Sequence, residues 1–191
     1  MITLDDIRQA RQRIAPHVRR TPLVQADALS APVTEAELWL KLECLQVTGS
    51  FKARGATNKL LATPPQDMAR GVTTASGGNH GLAVARAAKL AGVPATIFVP
   101  TNVTQAKIEK LRKWGATVEV VGSVWNETNL SALAFADDKG CAYFHPFADP
   151  YVVAGQGTLA LELLEQQPDL DAVLIAIGGG GLITGMAVAL K

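Results

Sequence analysis

Lys52 stands directly behind an aromatic residue in the stretch Thr48-Gly49-Ser50-Phe51-Lys52-Ala53-Arg54-Gly55-Ala56. The spacing predicts that Gly49 turns the chain, Ser50 caps a helix running from Phe51 to about Leu61, and the lysine occupies its first turn. An ammonium there faces the positive end of the helix dipole and is desolvated by Phe51, and both effects disfavour the charged form. An unperturbed lysine titrates near ~10.4 and is a poor nucleophile at neutral pH. A depressed one suits imine chemistry with a carbonyl carbon. A solvated lysine on an amphipathic helix is the plainer alternative.

Two other stretches suit anions. Ala172 to Ile177 is wholly apolar and reads as a strand buried on both faces. Gly178-Gly179-Gly180-Gly181 follows it, and Leu182 to Leu190 reads as a helix. A strand, a glycine turn and a helix N-terminus gather free amides at the positive end of a dipole, which favours a phosphate. No lysine-threonine pair follows the glycines, so a phosphate monoester fits better than a nucleoside triphosphate. A simple glycine hinge is the alternative. Ser76-Gly77-Gly78-Asn79-His80-Gly81 is a second turn into a helix. Its amides and the Ser76 hydroxyl can hold a carboxylate, and the Asn79 amide can bond a phenolic oxygen. His80 reads as a packing histidine, and His17 and His145 as isolated surface or packing residues. Gly155-Gln156-Gly157-Thr158-Leu159-Ala160 fits G-x-G-x-x-A, but no acidic residue follows about 20 positions on, so it reads as structural and not as a dinucleotide site. No zinc-ligand spacing is present, and metal ligands are expected to be none.

These residues need a scaffold. Thr3-Leu4-Asp5-Asp6 opens a helix that Pro16 ends. Glu37 to Glu43 alternates apolar and charged residues, as a half-buried strand does. Pro64-Pro65 marks a boundary. Beyond it strands at Gly71 to Ala75, Ala95 to Val99, Thr117 to Val121 and Ala142 to Phe144 alternate with helices at Asn79 to Ala91, Thr104 to Trp114 and Asn126 to Asp138. That alternation predicts parallel strands joined by crossover helices. Asp149 to Gly157 then returns the chain to the first domain, where a helix runs from Thr158 to Gln166. The expected division is 1–66 with 149–191 as one domain and 67–148 as a smaller one.

Of the 191 residues 48% are apolar and 18% charged, which suffices for a folded core. A net charge of +1 gives no electrostatic case for nucleic acid or an anionic membrane. No apolar run approaches the ~20 residues of a membrane helix, and the first residues do not read as a signal peptide. A cytoplasmic protein is expected. Cys44 and Cys141 form no framework and read as reduced, buried small hydrophobes.

Ser50-Phe51-Lys52-x-Arg54-Gly55-Ala56 resembles the lysine motif of the fold-type II (tryptophan synthase β-like) pyridoxal-phosphate enzymes. It is most similar to their serine/threonine dehydratase and serine racemase branch. Ser76 to Gly81, Gly155-Gln156-Gly157-Thr158 and Gly178 to Leu182 match that branch in the same order. The resemblance implies an α/β fold of two domains, each with a parallel-type sheet flanked by helices. Members are longer, so the chain is expected to stop partway through the large domain, leaving apolar helix surface that predicts a homo-oligomer. The cofactor implied is pyridoxal 5'-phosphate. Lys52 is then catalytic, while Phe51, Asn79, Gly178, Gly179, Gly180, Gly181 and Leu182 surround the cofactor, with Asn79 on its 3'-oxygen. Ser76, Gly77, Gly78 and His80 surround the substrate carboxylate, and the Gly155 block starts a helix bordering the cleft. The activity implied is deamination of L-threonine or L-serine by α,β-elimination, to a 2-oxo acid and ammonia. The alternatives are β-replacement of the cysteine synthase kind and an inactive truncated fragment. Two positions depart from the branch. Gly77 stands where racemases carry a serine that exchanges a proton, and Leu82 stands in place of a glutamine, which argues against a nucleotide effector there.

Overall fold

The computed structural model describes residues 1–27, 30–31 and 34–191. The chain opens with α1 (Leu4–Ile14), closed by a capping box in which the Asp6 amide donates to the Thr3 hydroxyl and the Thr3 amide to the Asp6 carboxylate. Two short strands, β1 (Leu23–Gln25) and β2 (Trp39–Lys41), pair antiparallel. The expected strand from Glu37 to Glu43 is thus only three residues long, because a 3-10 turn takes over at Glu43. The lysine helix is α2 (Lys52–Ala62).

Strands and helices then alternate through β3 (Val72–Ala75), α3 (Asn79–Ala91), β4 (Ala95–Val99), α4 (Gln105–Lys113), β5 (Thr117–Val120), α5 (Trp125–Lys139) and β6 (Ala142–Tyr143). All four strands are parallel, in the order β5-β4-β3-β6. The alternation of strand side chains splits the apolar residues between two faces. Ile97 and Val99 point into a cluster with Val84, Ala88, Ile108 and Leu111 of α3 and α4. Ala75 and Phe98 point the other way, to Ala132 of α5. Ala56 and Leu60 of α2 join the first cluster, so the lysine helix packs on the helical layer of this sheet.

Two helices complete the chain, α6 (Pro150–Gln166) and α7 (Gly181–Leu190). They pack with α1 around Ile7, Ala154, Leu159, Leu163 and Met186. α6 begins eight residues earlier than expected. The Asp149 carboxylate accepts the Tyr151 and Val152 amides at 2.9 and 3.1 Å, and Pro150 fills the first helical position. Gly155 and Gly157 therefore lie inside a helix and do not start one. No strand leads directly into that helix, so the residues lack the setting of a dinucleotide fingerprint.

Ala172 to Ile177 differs most from expectation. It forms no strand, because no strand among the described residues runs beside it to receive its main-chain groups. Val173 and Ile175 lean on the α1–α6–α7 cluster, while Leu174 is 94% and Ile177 67% exposed. The two cysteines are free, but Cys44 is exposed in its 3-10 turn and Cys141 only half-buried. No helix of the described residues is long and apolar enough to cross a membrane.

Candidate active site

Ser50 does not cap α2. Phe51 holds that position in helical conformation, and the turn tightens through 3-10-type bonds from the Ala53 amide to the Ser50 carbonyl and from the Arg54 amide to the Phe51 carbonyl. The Ser50 hydroxyl is left buried with no partner among the described residues. Gly49 makes the turn before it at φ +78°, where a side chain would be strained. Lys52 is the first helical residue. Its Nζ lies 5.3 Å from the centre of the Phe51 ring and donates to the Pro146 carbonyl at 2.7 Å. Burial lowers the amine's pKa below the ordinary lysine value, in the direction the sequence predicts.

The segment from Phe144 to Ala148 joins the expected site residues. His80 Nε2 and the Thr74 hydroxyl both bond the Phe144 carbonyl, at 3.1 and 2.6 Å. That brings the loop between β3 and α3 to this segment. Within the loop the Gly78 amide donates to the Ser76 hydroxyl at 3.3 Å, and the first-turn amides of α3 point outward without intrahelical acceptors. Asn79 is exposed, and its carboxamide makes no hydrogen bond among the described residues. His80 is buried and held neutral, with its pKa lowered to about 3, chiefly by desolvation. Its Nδ1 has no partner among the described residues. His80 thus packs against the Phe144 segment through one ring nitrogen.

Phe147 reaches the glycine turn. A Cβ on Gly179 would come within 2.2 Å of the Phe147 ring, and one on Gly181 would sit 2.8 Å from the Phe147 carbonyl oxygen. Gly180 adopts φ +84° and caps α7, which only glycine does at low cost. Beside Gly178 and Gly180 the space where a Cβ would project is open. The amides of Gly181 and Leu182 open a helix of ten residues. Lys52 and the glycine turn thus meet consecutive residues of one segment, the first at Pro146 and the second at Phe147.

A family described as pyridoxal-phosphate dependent enzyme matches residues 14–191. The chain belongs to that family. It is 46% identical, over all 191 residues, to an L-threonine ammonia-lyase of Thermotoga maritima, of which it covers 47%. A maize serine racemase structure superposes with a TM-score of 0.93 at 40% identity, covering 98% of this chain and 56% of that one. A threonine deaminase structure from T.th. superposes with a TM-score of 0.89 at 41% identity, covering all of this chain and 61% of that one. The chain spans about half the length of the curated relatives it matches.

The residues present fit pyridoxal phosphate. The cofactor needs an amine of depressed pKa for its aldehyde and clustered amides for its phosphate, and Lys52 and the glycine turn supply these on two sides of one chain segment. Sequence reasoning missed four neighbours. Val103 covers the Ser76 loop, so that a Cβ on Gly77 would come 2.5 Å from its Cγ2. Pro146 and Phe147 carry no chemical signature. His145, read as isolated, stacks edge-on against Phe147 with ring centres 4.6 Å apart and lies near Trp125 and Tyr143. The aromatic density of Tyr143-Phe144-His145-Pro146-Phe147 just before a helix was the available signal.

Proposed function

We propose that this chain carries the lysine and the phosphate cradle of an ammonia-lyase that converts L-threonine or L-serine to a 2-oxo acid and ammonia by α,β-elimination. The observation that carries the reading is the 2.7 Å bond from Lys52 Nζ to the Pro146 carbonyl, one residue before the ring that seats the glycine turn. The relatives named L-threonine ammonia-lyase and threonine deaminase supply the substrate class.

The cofactor, when bound, supplies an electrophilic carbon and a ring that accepts electron density from the substrate's α-carbon. Lys52 would hold that carbon. Gly178, Gly179, Gly180, Gly181 and Leu182 would hold the phosphate through backbone amides, with Phe51 beside the lysine and Asn79 directed at the 3'-oxygen. Ser76, Gly77, Gly78 and His80 would receive the substrate carboxylate at the N-terminus of α3. The Lys52 amine, whose pKa is lowered by its burial, is the base placed to take the α-proton. Racemisation by two bases fits less well. Gly77 brings no hydroxyl to the opposite face, and Val103 fills the space a side chain there would need.

The domain division belongs to the same proposal. Helices α1, α6 and α7 share one apolar cluster and the four-stranded sheet shares others, which supports 1–66 with 149–191 against 67–148, with α2 as the bridge whose Ala56 and Leu60 pack on the sheet's cluster. A homo-oligomer is also expected, and sedimentation of the intact protein tests it. The reaction is tested by incubating the intact protein and cofactor with L-threonine or L-serine alone. Release of ammonia and 2-oxo acid is expected, as is borohydride fixation of the cofactor on the peptide containing Lys52. Turnover only when a second nucleophile is added, or fixation on another lysine, refutes the reading.

A further inference from the structure

His145 accepts two main-chain hydrogen bonds at one ring nitrogen. The Phe147 amide donates to Nδ1 at 3.2 Å and the Ala148 amide at 2.8 Å. That is the pattern in which an asparagine side chain closes a turn on the amides that follow it. It is possible only if Nδ1 carries no proton, so the ring is neutral with its hydrogen on Nε2. Burial favours that state, against the nearby Asp149 carboxylate, and the Lys52 ammonium favours it too. Between the histidine and its two donors lies Pro146, whose carbonyl receives the Lys52 amine. The first donor belongs to Phe147, whose ring faces Gly179.

The geometry points to His145 as a positioning residue for the proposed reaction: by closing this turn at Nδ1 it fixes the carbonyl that holds the Lys52 amine and the ring that backs the glycine turn. The inference rests on the ammonia-lyase reading for its consequence but not for its geometry. His145 does not touch the reacting atoms. It acts through Pro146 and Phe147, and its ring contacts with Trp125, Tyr143 and Phe147 supply a competing, purely packing explanation.

Two substitutions in the intact protein separate these explanations. H145N keeps an acceptor where Nδ1 lies and loses the ring. H145F keeps the ring and loses the acceptor. The readout is the dissociation constant for pyridoxal phosphate, followed by absorbance during titration. Loss of two hydrogen bonds in H145F is expected to weaken binding roughly tenfold, while H145N stays within about threefold of the parent. The reverse order, with H145F near the parent and H145N weakened, overturns the inference in favour of packing. Should H145F fail to fold, the parent decides alone. Nitrogen-15 shifts of the His145 ring must show a bare Nδ1, and the Phe147 and Ala148 amides must be protected from hydrogen exchange. A protonated Nδ1 or two unprotected amides refutes it. A parent that binds no pyridoxal phosphate defeats the ammonia-lyase reading, and these ring and amide measurements still decide the role of His145.

Discussion

Replacing Arg54 by leucine removes the centre of a buried charge cluster. The guanidinium is fully buried and donates from Nε and Nη2 to Glu43 at 2.9 and 2.7 Å, and from Nη1 and Nη2 to Glu162 at 2.6 and 2.9 Å. Lys41 completes the group with a 2.7 Å bond to Glu162. Two cations and two carboxylates therefore balance, and R54L leaves one carboxylate uncompensated. Glu162 keeps Lys41, so the orphaned charge is chiefly that of Glu43. Breaking one side of a buried pair costs about 3–5 kcal/mol, a large share of the ~5–15 kcal/mol that holds a domain together. With a urea slope near ~2 kcal/mol/M, the unfolding midpoint should fall by about 2 M. The double variant R54L/E43Q restores neutrality and should cost clearly less than its two single variants added together. The acid limb reports the same contact. Burial would raise the Glu162 carboxyl, but the bonds from Arg54 and Lys41 outweigh it and hold the pKa below the usual 4.5. Its stabilisation is full above that value and is lost as pH falls through the lower native one. In R54L that acid-side loss should shrink. A midpoint that moves by less than about 0.3 M, or strict additivity in the double variant, refutes the reasoning.

Gly179→Ala drives a methyl against the Phe147 ring, and overpacking of about 1–3 kcal/mol should weaken pyridoxal phosphate binding by about 5- to 150-fold. G179A/F147A should recover part of that loss, and equal binding by both variants would disprove the contact. His80, with a native pKa of about 3 against 6.5 unfolded, binds its proton only on unfolding between those values. Stability should thus fall with acid by about 1.4 kcal/mol per pH unit on its account, and in His80→Gln the slope of urea midpoints between pH 6 and 5 should drop by about one proton. Gly77→Ser should lower stability and activity because Val103 occupies the space, whereas G77S/V103A should restore both, with activity measured as ammonia release. No recovery in the double variant would mean that Val103 is not the obstacle.

The alternating half of the fold was legible to within a residue or so, since strand and helix periods act locally. Lys52 and its depressed pKa were legible for the same reason. Its hydrogen-bond partner was not, because Pro146 lies 94 residues away and offers only a main-chain carbonyl. Ala172 to Ile177 misled because an apolar run states what a segment can bury, not whether a neighbour is there to bury it. Ser50 misled because a 3-10 turn satisfied the amides that a cap would have served. The ion pair of Arg54 with Glu162 carries no local signal, and only the meeting of α2 with α6 shows why both are buried.

Where α2, α6 and α7 cross, they touch backbone to backbone. A Cβ on Gly155 would meet the Arg54 carbonyl at 2.7 Å, and one on Gly157 the Gly185 carbonyl at 2.7 Å. At Gly155 and Gly185 only main chain lies across the seam, so it behaves like a weld and not a hinge. α2 carries the amine at its leading end and α7 carries the glycine turn at its own. The gauge between the two ends is therefore set by helix radii. Substitutions elsewhere in the core can loosen the molecule without changing that span, whereas one added methyl at the seam would alter it.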